Sequence, residues 1–447
     1  MTKQVTLTID GKEITAPAGT GLVDAAKMAG IDIPVFCHHP KLEPVGMCRM
    51  CLVEIGRPVR DRATSEIVME NGAPKIQFLP KLETACTNKV EEGLVVLTQA
   101  KSEKAQDGQR ATVEFLLTSH PLDCPICDKG GECPLQNLTM AHGPGKSRFL
   151  FDEKMRLGKG VPLGDLIVLD QERCIQCARC IRFQDEIVGD SVLGFDDRSR
   201  SMRIITFSEP GIDSVFSGNT TDICPVGALT TRDFRFEARP WELESAASIC
   251  TQCPVGCNIT LDSRREARAA GDFVIKRVMP RQNEEVNEIW ICDKGRFVHH
   301  YTDSKRRLKT PRVRQENRLG RASWDEATRA AADHLKGNFV ILASGKLANE
   351  DLFNLKSLAH HAGGKAYLYS HMGGGQMTTQ VGVGEGTNFG ALGAGTTIVV
   401  VASNLYEEAP IWYLRVKQAA DRGATLFVLN PRETRLDRFA SYVVRYA

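Results

Sequence analysis

CIQCARCIRF (residues 174–183) holds three cysteines, Cys174, Cys177 and Cys180, with two residues in each gap. That run opens the cluster-binding pattern of bacterial ferredoxins, in which a remote Cys-Pro supplies the fourth thiolate; here the pair is Cys224-Pro225. A two-cluster ferredoxin carries a second set of four cysteines. Counted by the same spacing, those positions are Gln184, Ser214, Ser217 and Thr220, and none is a cysteine. One four-iron cubane is kept and its twin has been lost. Zinc competes poorly, because the Cys-Pro ending belongs to the ferredoxin pattern.

Outward from this anchor the remaining cysteines fall into three further sets. Cys37-x10-Cys48-x2-Cys51-x34-Cys86 places three thiolates on one loop and a fourth far away, as a [2Fe–2S] centre requires. The first gap is longer than the plant-type gap, and structural zinc, which usually comes as two close pairs, is the competing reading. His120-x3-Cys124-x2-Cys127-x5-Cys133 lacks a fourth cysteine, every other one being claimed elsewhere, so His120 completes it as a [4Fe–4S] ligand. The competing reading has His120 only packing, with His142 or water in its place. Cys250-x2-Cys253-x3-Cys257-x34-Cys292 fits a zinc ribbon on spacing alone, but beside three iron–sulfur sets a further [4Fe–4S] cluster is favoured. All 15 cysteines are used, none lies beyond Cys292, and a reducing compartment disfavours pairing them as disulfides.

At 447 residues, with 42% apolar and 25% charged side chains, the chain has the composition of an ordinary soluble protein of several domains. A net charge of +2 gives no field for nucleic acid or an anionic membrane. MTKQVTLTID has no signal-peptide pattern, and no apolar run is long enough to span a bilayer, so a cytoplasmic protein is expected, meeting membrane only through partners. VTLTIDGKEITA (5–16) reads as a hairpin about Asp10-Gly11; helices are expected near Leu22–Ala29 and Ser102–Leu117. SKRRLKTPRVR (304–314) reads as a solvated linker. After it FVILA (339–343), IVVVA (398–402) and TLFVL (425–429) alternate with helices from Asn349 and near Ala409–Asp421, a parallel α/β pattern. VGVGEGTNFG (381–390) has Thr387 where a dinucleotide motif needs its third glycine.

GMCRMCLVEI (46–55), HPLDCPICDKGGECPLQ (120–136), CIQCARCIRF and FSGNTTDICPVGALTTRDFRFEARPWEL (216–243) closely resemble the large iron–sulfur subunit of NADH:quinone oxidoreductase, the 75-kDa or G-subunit family of respiratory complex I. From Cys250 onward CTQCPVGCNI, CDKGR (292–296), RASWDEA (321–327) and VLNPRETR (428–435) also resemble molybdopterin oxidoreductases. The resemblance implies a multidomain α+β chain. Its expected parts are a β-grasp [2Fe–2S] ferredoxin-like domain (1–98), a His/Cys3 segment (99–145) and a four-Cys [4Fe–4S] ferredoxin-like domain (146–243). A molybdopterin-oxidoreductase-type [4Fe–4S] domain (244–303) and a degenerate, partial α/β domain (304–447) follow.

The resemblance further implies one [2Fe–2S] and three [4Fe–4S] clusters, the first three sets in the electron path and the fourth off it. Ser370-His371 stands where relatives ligate metal through cysteine or selenocysteine, and Lys294 matches their cluster–pterin lysine; no molybdopterin, FMN or NAD is expected on this chain. It would relay single electrons, with no catalytic side chain, from an NADH/FMN-binding subunit towards quinone-reducing subunits, among other peripheral-arm partners. Its place would be peripheral, on the cytoplasmic face of a bacterial inner membrane. Two rivals share these modules: an NAD-linked formate dehydrogenase-type subunit, against which Gln184, Ser214, Ser217 and Thr220 count, and a soluble hydrogenase diaphorase subunit, which leaves residues 244–447 unexplained.

Overall fold

The computed structural model describes residues 3–61, 64–209, 211–267, 272–368, 380 and 388–446. Ser370-His371 and the glycine-rich run through Thr387 lie outside them. The chain forms two compact units, Met1–Glu242 and Leu243–Ala447.

The first unit begins with a β-grasp sheet. Strands Gln4–Ile9 and Lys12–Pro17 pair antiparallel through Asp10 (φ 53°) and Gly11 (φ 84°), two left-handed residues that match the twist of a two-residue hairpin. Val5, Leu7 and Ile9 point into the core at the strand period of two. Val95–Leu97 runs parallel to the first strand and antiparallel to Leu52–Pro58, which also pairs with Ile76–Phe78 and Glu83–Thr84. Helix Leu22–Met28 buries Leu22, Val23, Ala25 and Ala26, the apolar face that spacing predicts.

Helix Glu103–Leu117 follows, its first turn capped by Ser102 Oγ, which accepts from Ala105 N at 3.0 Å. A small sheet of Val161–Pro162, Ile167–Leu169 and Leu229–Thr231 and the hairpin Leu193–Asp196/Arg203–Thr206 complete the unit. Their core is continuous with Phe36, Cys37, Cys48 and Met50, so the ferredoxin-like modules share one interior.

The second unit opens with the antiparallel strands Glu244–Ile249, Asn258–Arg265 and Phe273–Pro280. Residues 304–314 are not all linker: Arg312–Gln315 pairs with Arg318–Arg321 about Glu316 (φ 54°). Charge density had masked a short, exposed hairpin whose strands need no buried face. Val340–Ala343 pairs in parallel with Lys365–Leu368, and Thr397–Val401, Thr425–Leu429 and Tyr442–Val444 form a second parallel sheet. Among the described residues the α/β pattern therefore makes two separate sheets. Helix Pro410–Asp421 carries much of the buried surface, including Ile411, Tyr413, Leu414 and Val416. Among the described residues, no helix is long and apolar enough to cross a membrane.

Candidate iron–sulfur centres

Strand pairing gathers the first set. Leu52 lies opposite Thr84, which sets Cys51 and Cys86 at the same end of the ladder, and Cys86 N donates to Cys51 Sγ at 3.5 Å. Cys37 and Cys48 exchange backbone N–H to sulfur contacts at 3.3 and 3.5 Å, and Met50 N adds another to Cys48 Sγ at 3.5 Å. Hydrogen bonds from the Cys48 and Cys86 thiols pull Cys37 down to about 2, while the same contacts push Cys48 and Cys86 up. Four sulfurs this close, all buried, are a single donor set.

His120, Cys124, Cys127 and Cys133 line one cavity of about 250 Å³ in the first unit. His120 Nδ1 is buried with no hydrogen-bond partner, and burial first, then the nearby Lys154 and Arg173, hold its pKa at about 4. The ring is thus neutral at pH 7, the form that ligates metal. The cavity has no spare room beside Cys127: a Cβ on Gly227 would sit 2.0 Å from Cys127 Sγ. Beneath it, buried Arg173 donates to Asp123 at 2.9 Å and Asp170 at 3.0 Å.

In the third set Cys174 and Cys177 lie on the loop before helix Arg179–Arg182, Cys180 lies within that helix, and Cys224 follows helix Asn219–Ile223. Burial pushes Cys174 up to about 12 and Cys177 up to about 11, reinforced by neighbouring thiols of the same set. Metal-free, these thiols hold their protons; bound iron is the positive charge that would release them. In the second unit, Cys292 Sγ accepts from Gly295 N at 3.4 Å and caps helix Asp293–Phe297. A Cβ on Gly295 would lie 3.3 Å from Cys250 Sγ and 3.8 Å from Cys292 Sγ, so those two sulfurs meet over the glycine. Burial raises Cys257, with Cys292, Cys250 and Cys253 adding to it in that order; the four face one another.

The structure also shows what joins the sites, which spacing did not reveal. Cys133 Sγ contacts Pro225 O at 3.8 Å, and Gly227 packs on Cys127, so the segment Cys224–Gly227 borders the second and third sets at once. Arg179 donates to Ile223 O, next to Cys224, and to His38 O, next to Cys37. Arg182 donates to Cys37 O and Glu43 O. The spatial order is first, third, second. The only sequence signal was a pair of arginines inside a ligand run.

Five family models match in tandem. They are described as a 2Fe-2S iron-sulfur cluster binding domain (2–101), NADH-ubiquinone oxidoreductase-G iron-sulfur binding region (109–148) and NADH-quinone oxidoreductase subunit 3, ferredoxin-like domain (164–230). An NADH-ubiquinone oxidoreductase NDSU1/NuoG-like, 4Fe-4S domain (243–300) and a molybdopterin oxidoreductase region (307–446) follow. The G subunit of NADH-quinone oxidoreductase from Streptomyces coelicolor is 38% identical over 96% of this chain and 51% of its own length. NADH-quinone oxidoreductase subunit 3 of Thermus thermophilus is 44% identical over 74% of this chain and 42% of its own. The chain thus spans about half the length of these curated relatives. A chain of the NAD+-reducing [NiFe]-hydrogenase in the H2-reduced state matches at 28% identity over 52% of this chain and 90% of that one, with a TM-score of 0.42. A similarity that low defines no shared fold.

Proposed function

Since this chain belongs to the G-subunit family of NADH-quinone oxidoreductase, we propose that it relays electrons, one at a time, from an NADH/FMN-binding subunit towards quinone-reducing subunits. Its ligands are Cys37, Cys48, Cys51 and Cys86 for a [2Fe–2S] centre; His120, Cys124, Cys127 and Cys133 for one [4Fe–4S] centre; Cys174, Cys177, Cys180 and Cys224 for another; and Cys250, Cys253, Cys257 and Cys292 for a third. Bound clusters supply one-electron redox chemistry at potentials tuned by ligands and hydrogen bonds to sulfur. The chain's own residues do the rest. Backbone N–H groups of Cys37, Cys48, Met50 and Cys86 donate to sulfur, neutral His120 makes its centre less negative, and burial of all four sulfurs of the first set excludes water there. No side chain transfers a proton to a substrate. The observation that carries this reading is the contiguity of the first three sets through shared backbone. The fourth set and the degenerate pterin-like region, without molybdenum, act as scaffold. The chain sits at the cytoplasmic face of the membrane, held there through its partners.

Iron and acid-labile sulfide analysis with low-temperature EPR of the anaerobically purified, reduced chain tests it. About 14 irons are expected, with as many sulfides, by the ligand counts above. Stoichiometric zinc, or molybdenum with a fluorescent pterin, overturns it.

A further inference from the structure

Arg179 and Arg182 are charged side chains in a place where charge is costly. Arg182 is 9% exposed, and the Nε atoms of both arginines are buried without a partner. The hydrogen bonds of both guanidinium groups end on backbone carbonyls: Ile223 and His38 for Arg179, Glu43 and Cys37 for Arg182. Neither forms a salt bridge with a carboxylate among the described residues. Arg173, just ahead of the same ligand run, is buried in the same unit and is handled differently, with Asp123 and Asp170 both ion-paired to it. A buried cation without an anionic partner is unfavourable, and carbonyl dipoles offset only part of its desolvation.

The cysteine donor sets lie on either side of both arginines, and Arg182 also has the Glu186 carboxylate nearby, which accepts from Glu43 N and interacts with the guanidinium. Arg179 lies between Cys177 and Cys180 in sequence and holds the carbonyls that precede Cys224 and follow Cys37. Arg182 holds the carbonyl of Cys37 itself. Four thiolates around either centre leave it net negative, and each accepted electron adds one more negative charge.

We propose that Arg179 and Arg182 are positioning residues that serve as the shared counter-charge of the first and third centres: they fix the junction between the two and favour the reduced form of each. This rests on the reading that both sets hold clusters. When one centre passes its electron to the other, one is oxidised and the other reduced, and Arg179 interacts with the transferred charge before and after. Its stabilisation therefore moves little along the transfer, which keeps the step close to balanced.

The test is EPR-monitored redox titration of the full chain with its clusters in place, comparing wild type with Arg179→Gln, Arg179→Lys and Arg182→Gln. Arg179→Gln is expected to lower the midpoints of both centres, and Arg179→Lys, which keeps the charge, to recover most of the shift. Arg182→Gln is expected to lower the binuclear midpoint more than that of the cubane. Should Arg179→Gln fail to take up iron, Arg179→Lys and Arg182→Gln carry the comparison. Unchanged midpoints in the loaded variants, or equal shifts in Arg179→Lys and Arg179→Gln, overturn the counter-charge role. Absence of either EPR signal from the wild-type chain is a different result, and would instead overturn the ligand assignment.

Discussion

Gly227 shows how little tolerance a ligand cavity has. Its missing side chain leaves the space that Cys127 Sγ occupies, since a Cβ there would be 2.0 Å from the sulfur. Gly227→Ala is therefore expected to displace Cys127, at an overpacking cost of roughly 1–3 kcal/mol, and to lose or convert the cubane of the second set. His120→Ala should lose or convert the same centre by removing the ligand, while the binuclear EPR signal persists in both variants. An unchanged spectrum in His120→Ala would show that the imidazole is not a ligand. The cysteines and His120 were legible in the sequence because ligand chemistry leaves few residue types to choose from. Gly227, Arg179 and Arg182 were not, because their roles depend on what distant segments bring beside them.

At the scale of elements, the loop that carries the clustered ligands of each set contains a left-handed residue: Gly46 and Arg49, Gly131, Gln176 and Ala178, Gly256. Non-glycine residues there are strained, and the strain is accepted where the backbone must turn sulfur and N–H groups towards one point. The same loops set a pH dependence in the metal-free chain. Cys174 and Cys177 titrate at about 12 and about 11 in the folded state against 9.0 when free. Their contribution to stability is complete below pH 9 and is lost as pH rises towards 11–12, because the unfolded chain gives up those protons first. A tenfold difference in proton affinity corresponds to about 1.4 kcal/mol, so urea midpoints of the apo chain should fall between roughly pH 8.5 and 10.5, and fall less in Cys177→Ser. An equal fall in both chains would refute the assignment. His120 acts in the opposite sense: held at about 4 against 6.5 when free, it withdraws stability as pH falls through that window. Regular elements were the most legible features. The hairpin at Asp10-Gly11 and helices Leu22–Met28 and Glu103–Leu117 follow from turn chemistry, period and capping. The hairpin Arg312–Gln315/Arg318–Arg321 did not, since its strands carry no apolar alternation to read.

For the whole molecule, the expectation of an α+β chain with a ferredoxin-like start and a pterin-oxidoreductase-like end agrees with the order of the matching family models. What sequence could not supply was the spatial order of the sites, because the third set in the chain lies between the first and the second in space. That order makes Cys177 central. In the assembled complex Cys177→Ala is expected to abolish quinone reduction while artificial-acceptor activity of the flavin subunit survives. Cys253→Ala should reduce assembly more than turnover per assembled complex. Equal turnover loss in the two would put the fourth centre on the path.

The short stretch Cys224–Gly227 bears on how such a unit is built in a cell. It supplies a ligand to one centre and a wall to the next, with Pro225 O against Cys133 and Gly227 against Cys127. Neither site can take its final shape while that stretch is still unsettled by the other. Maturation of the two cubanes should therefore be cooperative: iron limitation would give a mixture of filled and empty chains, with few holding a single cubane, so that a scaffold protein delivering clusters meets one decision here instead of two.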